Sequence, residues 1–388
     1  MIDKNFAICG GGVIGLLLAK VLADLDYKVD VYLGDSKKQE DIMVHAASAS
    51  TVNLLKSIGV WDFIAATEVK KMLVCDEQHS FVWQFLAQDI DQLQLGYIFK
   101  VSDLYQNLMQ VCKESENISI YFSSLVRLKN SDDSIEVEDD LANKKTYSWL
   151  FAADGKNSWV KSQLKQPAKM VDHHQLAIVA TVDLEKKIKN TAWQKFLTTG
   201  PVALLPRADN LYALIWSAED SFANNLLAMS VKDFEINLSK ATQYEFGKIK
   251  LASNRYSFNL VSKYTTKLYK KRCIFIGDAA RFIHPLFGQG ANMGGLDVLA
   301  IKEMLQQNEQ NLGYAFHKIR YKDGVLLGEV ADSLNSSACV QNDLIAYLRA
   351  SLGKVAITNT CIKRSLMAYA GGKRVNQTTP YSFNWPSY

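Results

Sequence analysis

Residues 273–298 read Cys273-Ile-Phe-Ile-Gly277-Asp278-Ala-Ala-Arg281-Phe-Ile-His284-Pro285-Leu-Phe287-Gly288-Gln289-Gly290-Ala291-Asn292-Met-Gly294-Gly-Leu-Asp-Val298, and this stretch decides the fold. The apolar run Cys273 to Ile276 predicts a buried strand that ends directly in Gly277-Asp278. A proline-bearing loop follows, and Gly288-Gln289-Gly290-Ala291-Asn292 then opens a long helical pattern. Glycines let a backbone approach a ligand closely, and Asp278 offers a carboxylate to sugar hydroxyls. The helix start after Gly290 presents unpaired N–H groups and a partial positive charge to an electron-rich ring. Together these predict the second half of a dinucleotide site.

The first half lies at Phe6-Ala-Ile-Cys9-Gly10-Gly11-Gly12-Val13-Ile14-Gly15-Leu16, between an apolar strand and an apolar helical pattern. Gly10 makes the tight turn, Gly12 admits a pyrophosphate, and Gly15 lets helix and strand pack closely. A second strand follows at Tyr27–Leu33, where an acidic residue normally ends the strand and holds a ribose. Leu33 stands there instead, with Asp35 two residues later. The two glycine motifs together predict a flavin dinucleotide.

The chain has 388 residues, which predicts one large unit or two interlocked ones. Hydrophobic content of 48% with 22% charged residues is that of a globular protein, and a net charge of +4 gives no argument for nucleic acid. The six cysteines show no zinc spacing and read as thiols of a reducing compartment. Residues 1–25 superficially resemble a signal peptide, but the glycine spacing explains them better. No apolar run reaches the roughly 18 residues of a membrane span. The expected location is cytoplasmic, or at most peripheral to the inner membrane.

Helices are predicted at Ser50–Ile58 and at Ser102–Cys112, the latter capped by Ser102 or Asp103. Strands are predicted at Ile118–Phe122 and Ile135–Glu138, with an Asn/Asp turn between them. Tyr147–Ala152 then leads into Asp154-Gly155. From Leu176 to Phe258 the pattern alternates, interrupted by a helix at Val231–Ser239. The fold class is therefore α/β: a Rossmann-like dinucleotide domain (1–170 and 262–345), an inserted antiparallel β-sheet substrate domain (171–261), and a C-terminal helical region and tail (346–388).

Three motifs in this order, Gly10/Gly12/Gly15, Asp154-Gly155-Lys156-Asn157-Ser158-Trp159-Val160-Lys161 and Gly277-Asp278-Ala279-Ala280, resemble the class A flavin monooxygenases built like p-hydroxybenzoate hydroxylase. His284 to Gly294 and Gly200-Pro201-Val202-Ala203-Leu204-Leu205-Pro206 resemble the ubiquinone-biosynthesis hydroxylases within that group. The similarity runs from about residue 5 to about 375. It implies FAD, with NAD(P)H as a transient reductant and O2 as co-substrate. A reduced flavin would form a C4a-hydroperoxide that is attacked by the ring of a (poly)prenylated phenol. No catalytic side chain and no metal are required, because the cofactor carries the chemistry.

The resemblance makes Gly10, Gly12, Val13, Ile14, Gly15, Leu33, Gly34, Gln106 and Val126 cofactor-binding, with the pyrophosphate at Gly12–Ile14 and the adenosine ribose at Leu33. Asp154, Gly277 and Asp278 are also cofactor-binding, Asp278 toward ribityl or ribose hydroxyls. Pro285, Gly288, Gly290, Ala291 and Asn292 fall beside the isoalloxazine. Leu205, Trp216, Phe287 and His45 border the substrate. Each has a plainer alternative: His45 and His284 as packed histidines, Trp193, Phe196 and Trp216 as sheet core, and His173-His174 as a solvated turn. Met43, Lys100-Val101, Lys161 and Arg281 depart from the family pattern. The expected partners are a lipid-tailed aromatic substrate and a peripheral membrane contact or quinone-biosynthesis complex, with basic residues near Lys363, Arg364, Lys373 and Arg374 facing the membrane. A hydroxylase of a soluble aromatic and a flavin-poor accessory subunit remain alternatives.

Overall fold

The computed structural model describes residues 5–34, 42–77, 82–284, 288–339 and 358–372. Asp35, Pro285, Leu286, Phe287, Lys373 and Arg374 lie outside them. A six-stranded sheet has the spatial order Tyr269–Lys270, Cys273–Phe275, Trp149–Ala152, Asn5–Cys9, Lys28–Tyr32, Ile118–Tyr121. All its pairings are parallel except the outermost, of Tyr269–Lys270 with Cys273–Phe275. Its central strands, Asn5–Cys9, Trp149–Ala152 and Cys273–Phe275, are almost wholly apolar and buried because both faces are covered. The chain starts in the middle of this sheet, moves to one side, and returns later to the other. That makes the C-terminal edge between Asn5–Cys9 and Trp149–Ala152 a topological switch point, where open α/β sheets bind ligands.

A second sheet runs Arg281–Phe282, Tyr256–Thr265, Ala168–Leu184, Tyr212–Glu219, Gly200–Pro206, Thr191–Leu197, Lys71–Asp76, Val82–Leu86. It draws two strands from before the inserted segment, and one of these, Lys71–Asp76, pairs in parallel with Thr191–Leu197. Helices Asp220–Ala228 and Val231–Ala241 cover one face, over a core that includes Trp193, Trp216, Phe234 and Phe246. The opposite face turns toward a small sheet of Val44–Ala47, Gly96–Lys100 and Thr67–Val69, as the packing of Leu205 and Ala192 with Val69 and Ile98 shows. The C-terminal region contains the helix Thr360–Ala370.

Several local readings change. The helix expected at Ser102–Cys112 spans Val101–Lys113; Lys100 occupies its cap position and no side chain caps it. A strand, Leu125–Asn130, lies between the two predicted near 118 and 135, and the turn between strands is confined to Ser131–Ser134. Its alternate residues are polar and exposed, so no buried period marked it. The 17-residue strand Ala168–Leu184 carries a bulge between Asp172 and Gln175, where His174 takes φ 51°. The bulge turns His174 out and His173 in. His173 is thus not part of a solvated turn: its imidazole bonds Ser262 Oγ at 2.9 Å and Asp332 Oδ1 at 3.2 Å.

Candidate cofactor site

Three parallel strands end level with one another, at Cys9, Ala152 and Phe275, and each runs into one of the glycine or aspartate turns. Gly10 has φ 112°, and a Cβ there would lie 2.4 Å from the Ala153 carbonyl oxygen, so the first turn is pressed against the second. A Cβ on Gly15 would lie 2.0 Å from the Gly10 carbonyl oxygen, which is the close helix–strand approach that its position predicts. Ile14 reaches the third motif: a Cβ on Gly277 would meet its side chain at 3.3 Å, and one on Gly294 at 2.6 Å. Lys161, where the pattern has arginine, joins the second motif to the third by donating to the Ala279 carbonyl at 3.1 Å.

The empty side of this junction has the form of a ligand cradle. A Cβ at Gly12 or Gly290 would meet nothing within 4 Å, in contrast to Gly10, Gly15 and Gly294. These two glycines stand at the starts of helices Val13–Ala23 and Gly290–Gln306, and neither helix has a side-chain cap or an acidic residue in its first turn. Their first N–H groups are therefore left for an acceptor. Asp154 accepts from the Val160 N–H at 3.0 Å through Oδ2, while its buried Oδ1 has no hydrogen-bond partner. Burial raises the Asp154 carboxyl above its ordinary range. Burial likewise pushes Asp278 up to about 6, against the pull of Lys156 and Arg281. Open space over two glycines, bare helix starts and two under-solvated carboxyls fit a dinucleotide with donor hydroxyls between its phosphates and ring.

Asn292 is placed at this helix start, yet its side chain is fully engaged. Its Oδ1 accepts from Thr51 Oγ1 at 2.8 Å and the Ser48 N–H at 3.0 Å, and its Nδ2 donates to the Ala46 carbonyl at 2.8 Å. Asn292 therefore holds the segment 46–51 against the helix, and backbone N–H groups are what it leaves facing outward. His45 shares this role. It is 5% exposed, stacks on Phe99 at 5.3 Å and lies 3.3 Å from Asn292 Oδ1. Burial pushes its pKa down to about 4, so it is neutral. The expectation that His45 borders a substrate gives way to this packed, hydrogen-bonded position.

Trp216 is corrected in the same way. It is 1% exposed and lies edge-on to Phe222, beneath the two covering helices. Tyr212, Leu214 and Trp216 point to one side of their strand because side chains alternate, and that side is the closed core. Leu205 is on the opposite side, packed against the cluster of Val69, Ile98 and Ala192, as is Ala46, and a Cβ on Gly288 would sit 3.2 Å from Ala46. At the adenosine end, Leu33 is buried and closes over Gly11, Gly34 takes φ 59°, and Gln106 and Val126 are exposed. Met43 is 38% exposed. A cavity of about 280 Å³ opens nearby between Ala65, Phe99, Lys100, Asp103 and the Arg207–Asp209 turn.

A buried ionic cluster behind the third motif was not anticipated from the sequence. Asp297, with no exposed surface, accepts from the Gly277 N–H at 3.0 Å, from Arg281 through both guanidinium Nη atoms, and from Arg320 Nε at 2.8 Å. Asp297, the single charge inside the otherwise apolar run Gly294–Ile301, was its one visible signal. Arg281, a departure from the family pattern, is thereby explained as half of a pair. Lys363 and Arg364 are also occupied, by Asp89 and Asp91, so they are not a free basic patch for a membrane. No helix among the described residues is long and apolar enough to cross one.

The FAD binding domain family matches residues 3–311. The 3-demethoxyubiquinol 3-hydroxylase of Escherichia coli strain K12 is 30% identical across 80% of this chain and 82% of that protein. The mitochondrial ubiquinone biosynthesis monooxygenase of Xenopus tropicalis is 29% identical across 94% of this chain and 93% of its own. Among solved structures, Klebsiella pneumoniae HpxO complexed with FAD and uric acid aligns with a TM-score of 0.77 at 14% identity, over 96% of this chain and 98% of that one. The p-nitrophenol 4-monooxygenase PnpA of Pseudomonas putida also gives 0.77 at 14%, over 96% and 100%. The latter two carry the fold alone, with its inserted sheet and C-terminal helical region. Three turns meeting at one sheet edge, a cradle that suits a dinucleotide and a match over most of the chain lead to one assignment: the protein belongs to the FAD binding domain family of flavin-dependent aromatic monooxygenases.

Proposed function

We propose that this chain hydroxylates the aromatic ring of a prenylated phenol in ubiquinone biosynthesis, using FAD, NAD(P)H and O2. The observation that carries the reading is the meeting of the turns bearing Gly12, Asp154 and Asp278 at the ends of three adjacent strands, with the helix that starts at Gly290 packed beside them through Ile14 and Gly294. The substrate class rests on the names of the relatives. Bound FAD supplies the activation of oxygen and its transfer to the ring. The chain's own part is to bind, orient and exclude water. N–H groups of Gly12, Val13 and Ile14 would hold the pyrophosphate, Asp278 would accept from ribityl hydroxyls, and the N–H groups at Gly290 and Ala291 would stabilise negative charge on the ring. Leu33 cannot accept a ribose hydrogen bond, so the adenosine end is held by backbone groups near Gly34. The phenol lies on the Leu205 side of the second sheet, with a tail in apolar surroundings and a peripheral membrane visit to collect it.

The polar rim of the 280 Å³ cavity, with Lys100, Asp103, Arg207 and Asp209, favours a second reading in which the substrate is a soluble aromatic. NAD(P)H-dependent hydroxylation of a short-chain prenylated phenol, compared with the bare phenol, separates the two. The prenylated compound is expected to have a kcat/KM higher by about tenfold or more, from the apolar burial of its tail. Equal efficiency would replace the lipid reading with the soluble one.

Asp278 gives a pH dependence. Its pKa in the ligand-free protein is raised to about 6, above the unfolded value of 3.8, so the ionised form is disfavoured and stability falls as pH rises from about 4 to about 6. Hydroxyl donors from FAD favour the ionised form and lower the pKa again. FAD affinity should therefore rise about tenfold between pH 5 and pH 7 and level off above that, as a titration of the FAD-free protein would record. Asp278→Asn should flatten the profile; an unchanged slope in that variant would remove Asp278 from the cofactor contacts.

A further inference from the structure

A continuous line of hydrogen bonds runs from the C-terminal helix to the third motif. Tyr369 Oη donates to Asp323 Oδ1 at 2.5 Å, and Asp323 Oδ2 accepts from Arg320 Nη1 at 2.5 Å. Arg320 Nε donates to Asp297 Oδ1 at 2.8 Å, and Asp297 Oδ2 accepts from the Gly277 N–H at 3.0 Å. Gly277 has φ 54° and is followed by Asp278. With Arg281 on Asp297, two arginines and two aspartates balance in charge; Asp297, Arg281 and Arg320 are buried and Asp323 is 11% exposed at the end of the line nearest Tyr369, so each buried link depends on the next.

The same helix touches the other side of the cradle. The Gly371 carbonyl accepts from the Ser50 N–H at 3.3 Å, and Gly372, at φ 103°, is pressed so closely on Ser50 that a Cβ would sit 2.1 Å from its Oγ. Ser50 Oγ is 2.9 Å from Ser48 Oγ, and the Ser48 N–H is held by Asn292. Lys363 and Arg364 fix the opposite flank of the helix to Asp89 and Asp91.

We propose that Tyr369 is a positioning residue for the cofactor: through Asp323, Arg320 and Asp297, the docked C-terminal helix holds the Gly277–Asp278 turn in the shape that accepts FAD. Docking of residues 360–372 and retention of FAD are then two sides of one equilibrium, each favouring the other by the same factor. The proposal rests on the FAD reading of the site, but the line of bonds exists without it.

The test uses the full chain and Tyr369→Phe, which keeps the ring and removes only the hydroxyl. Amide exchange at Gly277–Ala280 in the FAD-free protein should become several-fold faster, and the Kd for FAD should rise about five- to tenfold. Asp323→Asn should act alike, and the double variant should be no worse than the stronger single one, because both break the same line. Unchanged exchange at Gly277, or additive effects on Kd, would overturn the proposal; faster exchange with an unchanged Kd would overturn the coupling. Failure of the parent chain to bind FAD would instead defeat the functional reading, and the exchange measurement distinguishes the two cases.

Discussion

Asp297→Ala should lower unfolding free energy by about 3–5 kcal/mol, the usual consequence of leaving a buried charge without its partner. Asp297 has no exposed surface, and the side chains of Arg281 and Arg320 are 4% and 1% exposed. Removal of its carboxylate strands two guanidiniums, of which only Arg320 keeps a partner in Asp323. It also frees the Gly277 N–H, one more buried donor. Urea denaturation of parent and variant measures the loss. Arg281→Met added to Asp297→Ala should restore part of it, because one of the two stranded charges is then gone. A loss below about 1 kcal/mol, or a double variant no more stable than the single one, would show that water or rearrangement satisfies the arginines and that the cluster is not under this constraint.

That cluster marks the boundary of what could be read from the sequence. The glycine turns were legible because their demands are local: Gly10 needs its left-handed φ and Gly15 its bare Cα whatever lies far away. Strand ends, helix starts and the order of the three motifs followed from the same short-range signals. What failed was direction. The alternation in Tyr212–Glu219 says that Trp216 and Ile215 face opposite ways, but nothing local says which way holds the covering helices. His45 and Asn292 are 247 positions apart, and their contact follows from the packing of two elements that the sequence does not pair. His173 went inward because two extra residues, His173 and His174, form a bulge opposite the single step from Val261 to Leu260, with His174 at φ 51°, and adjacent histidines carry no sign of that. The departures at Lys161 and Arg281 were legible as departures only; each proves to be reused in a long-range bond, to Ala279 and to Asp297.

Gly12→Leu should abolish retention of FAD while leaving the fold intact, and Gly10→Ala should do the reverse damage by preventing the fold. Gly12 has φ −73° and ψ 177°, an extended conformation open to any residue, and a Cβ there meets nothing within 4 Å. The space it opens onto is the one assigned to the pyrophosphate, so a leucine side chain and the phosphates compete for it. The Kd for FAD is expected to rise by about a hundredfold, equal to roughly 2.7 kcal/mol, with a urea midpoint and circular dichroism like those of the parent. Gly10→Ala, by contrast, sets a methyl 2.4 Å from the Ala153 carbonyl oxygen at φ 112°, where neither backbone nor strand can give way. Two glycines two residues apart thus separate ligand space from packing space. If Gly12→Leu kept FAD through purification as the parent does, the pyrophosphate would have to lie elsewhere, and the assignment of the first motif would fall with it.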